Sequence, residues 1–117
     1  MTIRRMKTYT GGQGYVYQYY FVGQRAARGE AEVNEYIFDV TSDRKTMFSV
    51  SIFLPQEALR AWAAVHERSL TAAEQYAAVK MRLFQAFDTV ENMMTEGRTA
   101  RIEKSELELL LSTLGVQ

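Results

Sequence analysis

The sequence contains no cysteine, which excludes disulfides, thiolate metal sites and cysteine nucleophiles together. It contains one histidine, His66, so a multi-histidine metal site is excluded as well. Net charge is absent, because 14 basic residues balance 14 acidic ones. No stretch approaches the roughly 20 apolar residues that cross a bilayer. The N-terminal "MTIRRMKTYTGG" is basic with no apolar run behind it, unlike a secretory signal. These absences read as a cytoplasmic chain with no metal, no cofactor and no membrane partner. No catalytic constellation is visible, so the chain reads as a non-enzyme.

What is present is enough for a core. At 117 residues, 47% hydrophobic and 24% charged, the chain reads as one domain, 1–117. A chain of this size buries roughly two-thirds of its unfolded surface. Charge is unevenly placed. Residues 1–30 carry five basic residues against Glu30 alone, a balance of +4, and residues 31–117 carry nine against thirteen, −4. That polarity suits self-complementary contacts and leaves a polyanion open as a partner of the N-terminal end.

Alternation places strands in the first half. "GYVYQYYFVG", 14–23, holds five aromatic rings in eight residues. Tyr15, Tyr17, Tyr19 and Phe21 share one parity; Val16, Gln18, Tyr20 and Val22 share the other. "VNEYIFDV", 33–40, and "TMFSVSIFL", 46–54, follow with short polar connections. "TSDRK", 41–45, is a turn whose side chains hydrogen-bond their own backbone. Residues 14–54 are therefore expected as a three-stranded antiparallel meander, with 1–13 as a flexible lead-in.

Helical spacing takes over after Pro55. Three helices are expected, packed on one sheet face, giving an α+β fold. The first carries Leu59, Trp62, Ala63 and His66 on one stripe, which places Trp62 between helix and sheet. The second opens at the capping box Thr71–Glu74 and continues through Tyr76, Val79, Leu83, Phe87, Val90 and Met94 to Gly97. About 26 helical residues span roughly 39 Å, against roughly 35 Å for the whole globule, so its end with Met93 and Met94 is expected to project. "TARIE", 99–103, reads as a short extended piece at the sheet edge. Ser105–Glu108 reads as a second capping box opening the last helix, with Gly115 as its stop.

Candidate chemistry is sparse. "GGQG", 11–14, precedes a strand, whereas a phosphate-cradling loop follows one and opens a helix. His66 sits beside Glu67, Arg68 and Ser69 like an ordinary helix end. Glu32, Glu35 and Asp39 form a local acidic cluster, but Glu35 and Asp39 lie about 13 Å apart on a strand, too far to share a metal or proton. They read as solvated edge charges. Met81, Phe84, Phe87, Met93 and Met94 line a helix stripe that serves as core or, alternatively, a small-ligand pocket.

Two partner surfaces remain. Helices cover one sheet face only, so the doubly apolar first strand calls for a second subunit. The preferred reading is a homodimeric, non-enzymatic interaction protein, with another protein as a possible partner. Gln18 breaks one parity, so the face of Val16, Gln18, Tyr20 and Val22 goes to the interface with Met93 and Met94, and Phe21 becomes the deepest core residue. The alternative is single-stranded nucleic-acid binding, with bases stacked on Tyr15, Tyr17 and Tyr19 and phosphates on Arg25 and Arg28.

Overall fold

The computed structural model describes residues 6–117. Its sheet has five strands in the order β1 (Lys7–Thr10), β2 (Val16–Ala26), β3 (Val33–Thr41), β4 (Phe48–Pro55) and β5 (Thr99–Arg101). The first four form an antiparallel meander, and β5 pairs parallel to β4. Four helices complete the α+β fold: α1 (Gln56–His66), α2 (Ala72–Thr89), α3 (Met93–Glu96) and α4 (Lys104–Thr113). Tyr17, Tyr19, Phe38, Val40, Val50, Ile52 and Leu54 point into one core with Trp62, Leu83, Phe87 and Leu107. Among the described residues no helix is long and apolar enough to cross a membrane.

The expected lead-in is structured from Lys7 onward. Tyr9 stacks on Phe84 at 4.3 Å, and its hydroxyl donates to both Asp88 oxygens at 3.0 Å. "GGQG" is the β1–β2 hairpin loop. Gly14 takes φ +89°, and a Cβ on Gly11 would lie 2.7 Å from the Phe87 carbonyl oxygen, so the loop can seat against α2 only with glycine there. The Gly12 N–H donates to Asp88 at 2.8 Å and completes the tie. Residues 1–5 of the expected lead-in lie outside the described residues.

The second expected helix is shorter than its sequence spacing implies. It ends at Thr89, where Val90 turns extended (φ −91°, ψ 119°) and donates its N–H back to Ala86. The short α3 then folds Met93 inward, with its sulfur 2.3 Å from where a Gly97 Cβ would sit. Gly97 therefore closes α3 rather than α2. Met93 is 2% exposed, so no projecting end exists for it to occupy.

Caps behave unequally. The Thr71–Glu74 box forms as expected, with the Thr71 side chain accepting from Glu74 N–H and the Thr71 N–H reaching the Glu74 carboxylate. The Ser105–Glu108 box does not form. Glu103 captures the N-terminal position, boxed with Glu106, and starts α4 at Lys104. The bond that fixes this start is the Glu103 N–H donating to the Glu106 carboxylate at 3.1 Å.

Arg68 ties three parts of the molecule together. It grips Glu74 through two bonds of 2.9 Å, donates to the Gln117 carbonyl, and lies 4.9 Å from the Trp62 ring centroid. This guanidinium and the Thr71 N–H bring the Glu74 pKa from 4.5 to about 2. Because the folded value is depressed, the stabilisation is complete above about pH 4.5 and is lost as pH falls toward 2. Glu74→Gln keeps the box geometry and loses the ion pair. It should melt below the parent at pH 6 and converge on it near pH 2; a gap of equal size at both pH values would refute the assignment.

Candidate functional site: the helix-free face of the sheet

The face that no helix covers is built on β3, which is the central strand. Tyr36, Phe38 and Val40 turn inward, so Glu35, Ile37 and Asp39 turn out. Each carboxylate is held from both sides. Glu35 accepts from Arg25 Nε at 2.9 Å and from Ser51 Oγ at 2.6 Å. Asp39 accepts from the Tyr20 hydroxyl at 2.7 Å and from Ser49 Oγ at 3.4 Å. Two parallel rungs thus cross the sheet, each running from β2 through a β3 carboxylate to a β4 serine. Arg98 borders the second rung, donating to the Ser49 carbonyl with its guanidinium 5.7 Å from the Phe48 ring centroid.

The rungs change the meaning of the acidic cluster. Glu35 is only 7% exposed although it stands on the helix-free face. The Arg25 hydrogen bond, then the Ser51 hydroxyl, hold its pKa below the usual carboxylate value against the opposing effect of burial. Glu35 and Asp39 are therefore not edge charges; they sit mid-sheet, each accepting two side-chain hydrogen bonds. Among the described residues no group of three or more His, Asp or Glu side chains is placed to hold a metal.

A β-bulge makes this arrangement. Pairing runs Tyr20–Asp39 and Phe21–Phe38, then slips to Gly23–Ile37 and Arg25–Glu35, which leaves Val22 as the extra residue. Without the slip, Arg25 would lie opposite Asn34 and point toward the helices. One inserted residue reverses every later side chain and delivers Arg25 to Glu35. It also ends the inward run early. Phe21 is the last inward aromatic before the bulge, and at 36% exposed, against Tyr76 at 4.9 Å, it marks the margin of the core. The expectation of Phe21 as the deepest residue was therefore incorrect; Tyr17 and Tyr19, at 2% and 4% exposed, are deeper.

The expected site residues divide accordingly. Val16, Gln18 and Tyr20 share the helix-free face, and Val22 is exposed at the bulge. Met94 is exposed, but it lines a separate cleft of about 490 Å³ with Tyr15, Ser42, Glu91 and Asn92. Met93 is buried and leaves the interface set. The nucleic-acid set is dispersed. Tyr17 stacks on Phe87 at 4.3 Å and Tyr19 packs on Phe84 at 5.6 Å, so neither ring is open to a base. Arg25 is committed to Glu35 on the opposite face, while Tyr15 and Arg28 are exposed. Of the helix stripe that could have lined a small-ligand pocket, Phe87 and Met93 are core, Met81 and Phe84 pack against it, and Met94 is exposed.

The two rungs were not foreseen, although their parts were in view. Ser49 and Ser51 alternate with apolar residues on one strand, and Glu35 and Asp39 stand at matching parity on another. That pattern marks a polar ladder, but its partners on β2 depend on the bulge. Fold and site together define an α+β protein whose helices roof one side of a meander and whose other side carries two hydrogen-bonded carboxylates, one of them ion-paired. Neither a protein family, nor a curated protein, nor a solved structure matches the chain.

Proposed function

We propose that this chain is a small non-enzymatic assembly protein that pairs with a second copy of itself through the helix-free face of the sheet. The observation that carries the reading is the pre-satisfied state of that face. Glu35 and Asp39 already hold their hydrogen bonds within one chain, so a partner can displace water without leaving a carboxylate bare. A two-fold contact sets each surface against itself, where like charges would repel. The Arg25–Glu35 pair removes one such charge. Val16, Ile37 and Phe53 supply apolar area among the rungs.

Size sets the expected strength. Strands of 11, 9 and 8 residues dominate the face. With strands about 4.8 Å apart and about 3.3 Å per residue, and the two short edge strands included, it covers roughly 20 by 30 Å. That is about 600 Å², below the roughly 800 Å² per partner of a standard interface, so a modest, concentration-dependent dimer is expected.

Light scattering at tens of micromolar should give about twice 13.4 kDa. Ile37→Lys should give a folded chain of single mass, because Ile37 is half-buried at the centre of the face and a lysine there meets its own copy. Tyr20→Glu is a poorer probe, since it sets a second carboxylate against Asp39 within the monomer. A parent chain of single mass at every concentration, or an Ile37→Lys chain that stays dimeric, would rule out this face as the self-contact.

A further inference from the structure

The cleft of about 490 Å³ that Met94 lines lies at one end of the sheet, where Ser42 follows β3 and Tyr15 precedes β2. Glu91, Asn92 and Glu96, from α3 and the link before it, complete its wall. Among the described residues no basic side chain lines it. Neither Glu91 nor Glu96 has an ion pair or a hydrogen bond among those residues, whereas Glu30, Glu32, Glu57, Glu74, Glu103 and Glu106 are each paired with an arginine or lysine. The cleft therefore carries two charges that no described side chain neutralises.

A second group points into the same space. Tyr17 is 2% exposed, with its ring stacked on Phe87 at 4.3 Å, and it lines the cleft. Among the described residues its hydroxyl has no hydrogen-bond partner, yet the Trp62 indole is the only fully enclosed side-chain polar atom left without one. The Tyr17 hydroxyl is therefore the part of the side chain that reaches the cleft. A buried phenol is ordinarily hydrogen-bonded, so this one has room for a ligand. Burial raises its pKa, and at pH 7 it is a neutral hydroxyl whose oxygen can accept an N–H. Tyr15, 47% exposed, stands beside it with ring centroids 6.4 Å apart and planes tilted by 58°.

We propose that this cleft binds a small aliphatic diamine, with one ammonium group on Glu91, the other on Glu96, and the methylene chain between them against Tyr15 and Met94. Two unpaired carboxylates call for two positive charges. A metal ion fits less well, because hard divalent cations take six or more oxygen ligands and no group of three or more His, Asp or Glu side chains is placed to hold one among the described residues. An organic ammonium also gains from the face of an aromatic ring, which Tyr15 offers. Glu91 and Glu96 flank the single turn of α3, which sets their backbones roughly 8 Å apart at about 1.5 Å per helical residue. A chain of about four methylenes carries two charges across a similar span. The unbranched Met94 thioether adapts to such a chain. Each ammonium has three N–H donors, and the Tyr17 hydroxyl and the Asn92 side-chain carbonyl accept those the carboxylates leave over. This inference is independent of the self-contact on the helix-free face.

The test titrates putrescine into the full chain in low-salt buffer near neutral pH and follows backbone amides by NMR. The amides of Tyr15, Ser42, Asn92 and Glu96 should shift together and saturate at one ligand per chain. Glu91→Gln combined with Glu96→Gln should weaken binding by about tenfold, the joint effect of two exposed ion pairs. Butylamine, with one ammonium group, should bind several-fold more weakly than putrescine. Tyr17→Phe keeps the ring on Phe87, so it should stay folded by circular dichroism while binding putrescine several-fold more weakly. Equal affinity in the parent and the doubly substituted chain, or equal affinity for butylamine and putrescine, would overturn the proposal. An undiminished affinity in the Tyr17→Phe chain would refute the hydroxyl contact. Magnesium chloride that moves the same amides at the same concentration would reduce the cleft to an acidic patch. Tighter binding of N-acetylarginine amide than of putrescine would assign it to a protein partner instead, and either result refutes the diamine.

Discussion

Trp62→Ala should lower stability by about 3–5 kcal/mol, the usual range for emptying a buried aromatic site. Trp62 is 3% exposed and belongs to the core that joins α1 to β4 and α4. His66 stacks on it at 4.1 Å, and the Arg68 guanidinium lies over it. The loss is therefore more than a cavity, because two side chains that tie helix ends together lose their platform. His66 bonds Glu108 of α4 at 2.9 Å, and Arg68 holds Glu74 and Gln117. At roughly 4 °C per kcal/mol for a domain of this size, the melting temperature should fall by about 12–20 °C. Trp62→Phe should lose much less. Among the described residues the buried indole Nε1 finds no hydrogen-bond partner, so removing it also removes an unpaired donor. Thermal unfolding of both variants checks this; a phenylalanine chain as weak as the alanine chain would show that the N–H does matter. As the sole tryptophan, Trp62 should emit at short wavelength in the native state and shift red on unfolding.

The second large effect separates two neighbours on β2. Tyr19→Glu should abolish folding, and Phe21→Glu should not. Tyr19 is enclosed by Phe38, Phe84 and Phe87, with ring centroids 5.6–6.4 Å away. A carboxylate there would be buried among rings, with only the exposed Lys7 opposite it on the edge strand β1, and the penalty for burying it is of the order of the 5–15 kcal/mol that holds a typical domain together. Phe21 shares the inward parity but lies at the core margin, where a glutamate can turn toward water. Its loss should be about 1–2 kcal/mol of packing against Tyr76 and Phe38. Circular dichroism and chemical denaturation distinguish the two. A folded Tyr19→Glu chain, or an unfolded Phe21→Glu chain, would mean that the inward run continues past the bulge.

How much of this was legible follows from which interactions are local. The meander was readable because β3 and β4 alternate strictly and short polar turns join them. The 41–45 turn behaves as its composition implies: Asp43 accepts from the Lys45 and Thr46 N–H groups at 2.8 Å. The Thr71–Glu74 box was readable for the same reason. β1 was not, because "KTYT" offers a single apolar side chain and its anchor, Asp88, lies 79 residues away from Tyr9. The end of α2 was hidden because Val90 and Met94 keep helical spacing and no proline or glycine interrupts them until Gly97. Helical spacing continued where the helix did not, since the pull on Met93 comes from the core beneath it. The candidate face was half legible. Gln18 and Tyr20 were assigned to the correct side by parity, but the rungs they adjoin require a one-residue slip that no pattern on β2 announces.

The one-sided roof over the sheet has a consequence for how the chain is made. Synthesis proceeds from the N-terminus, so the four meander strands are complete once Pro55 has been added. The segments that cover their inward side, from Ala58 of α1 to Leu111 of α4, do not yet exist. For that interval the nascent chain presents Tyr17, Tyr19, Phe38, Val50 and Ile52 as an open aromatic and β-branched surface. Such a surface, bounded by unpaired strand edges, is a template for joining other incomplete chains. The β4 edge is the longest exposed of these, since its parallel partner β5 arrives 44 residues after Pro55, counted to Thr99. Only the ribosome and whatever binds the emerging chain stand between that surface and its neighbours until α2 has been delivered.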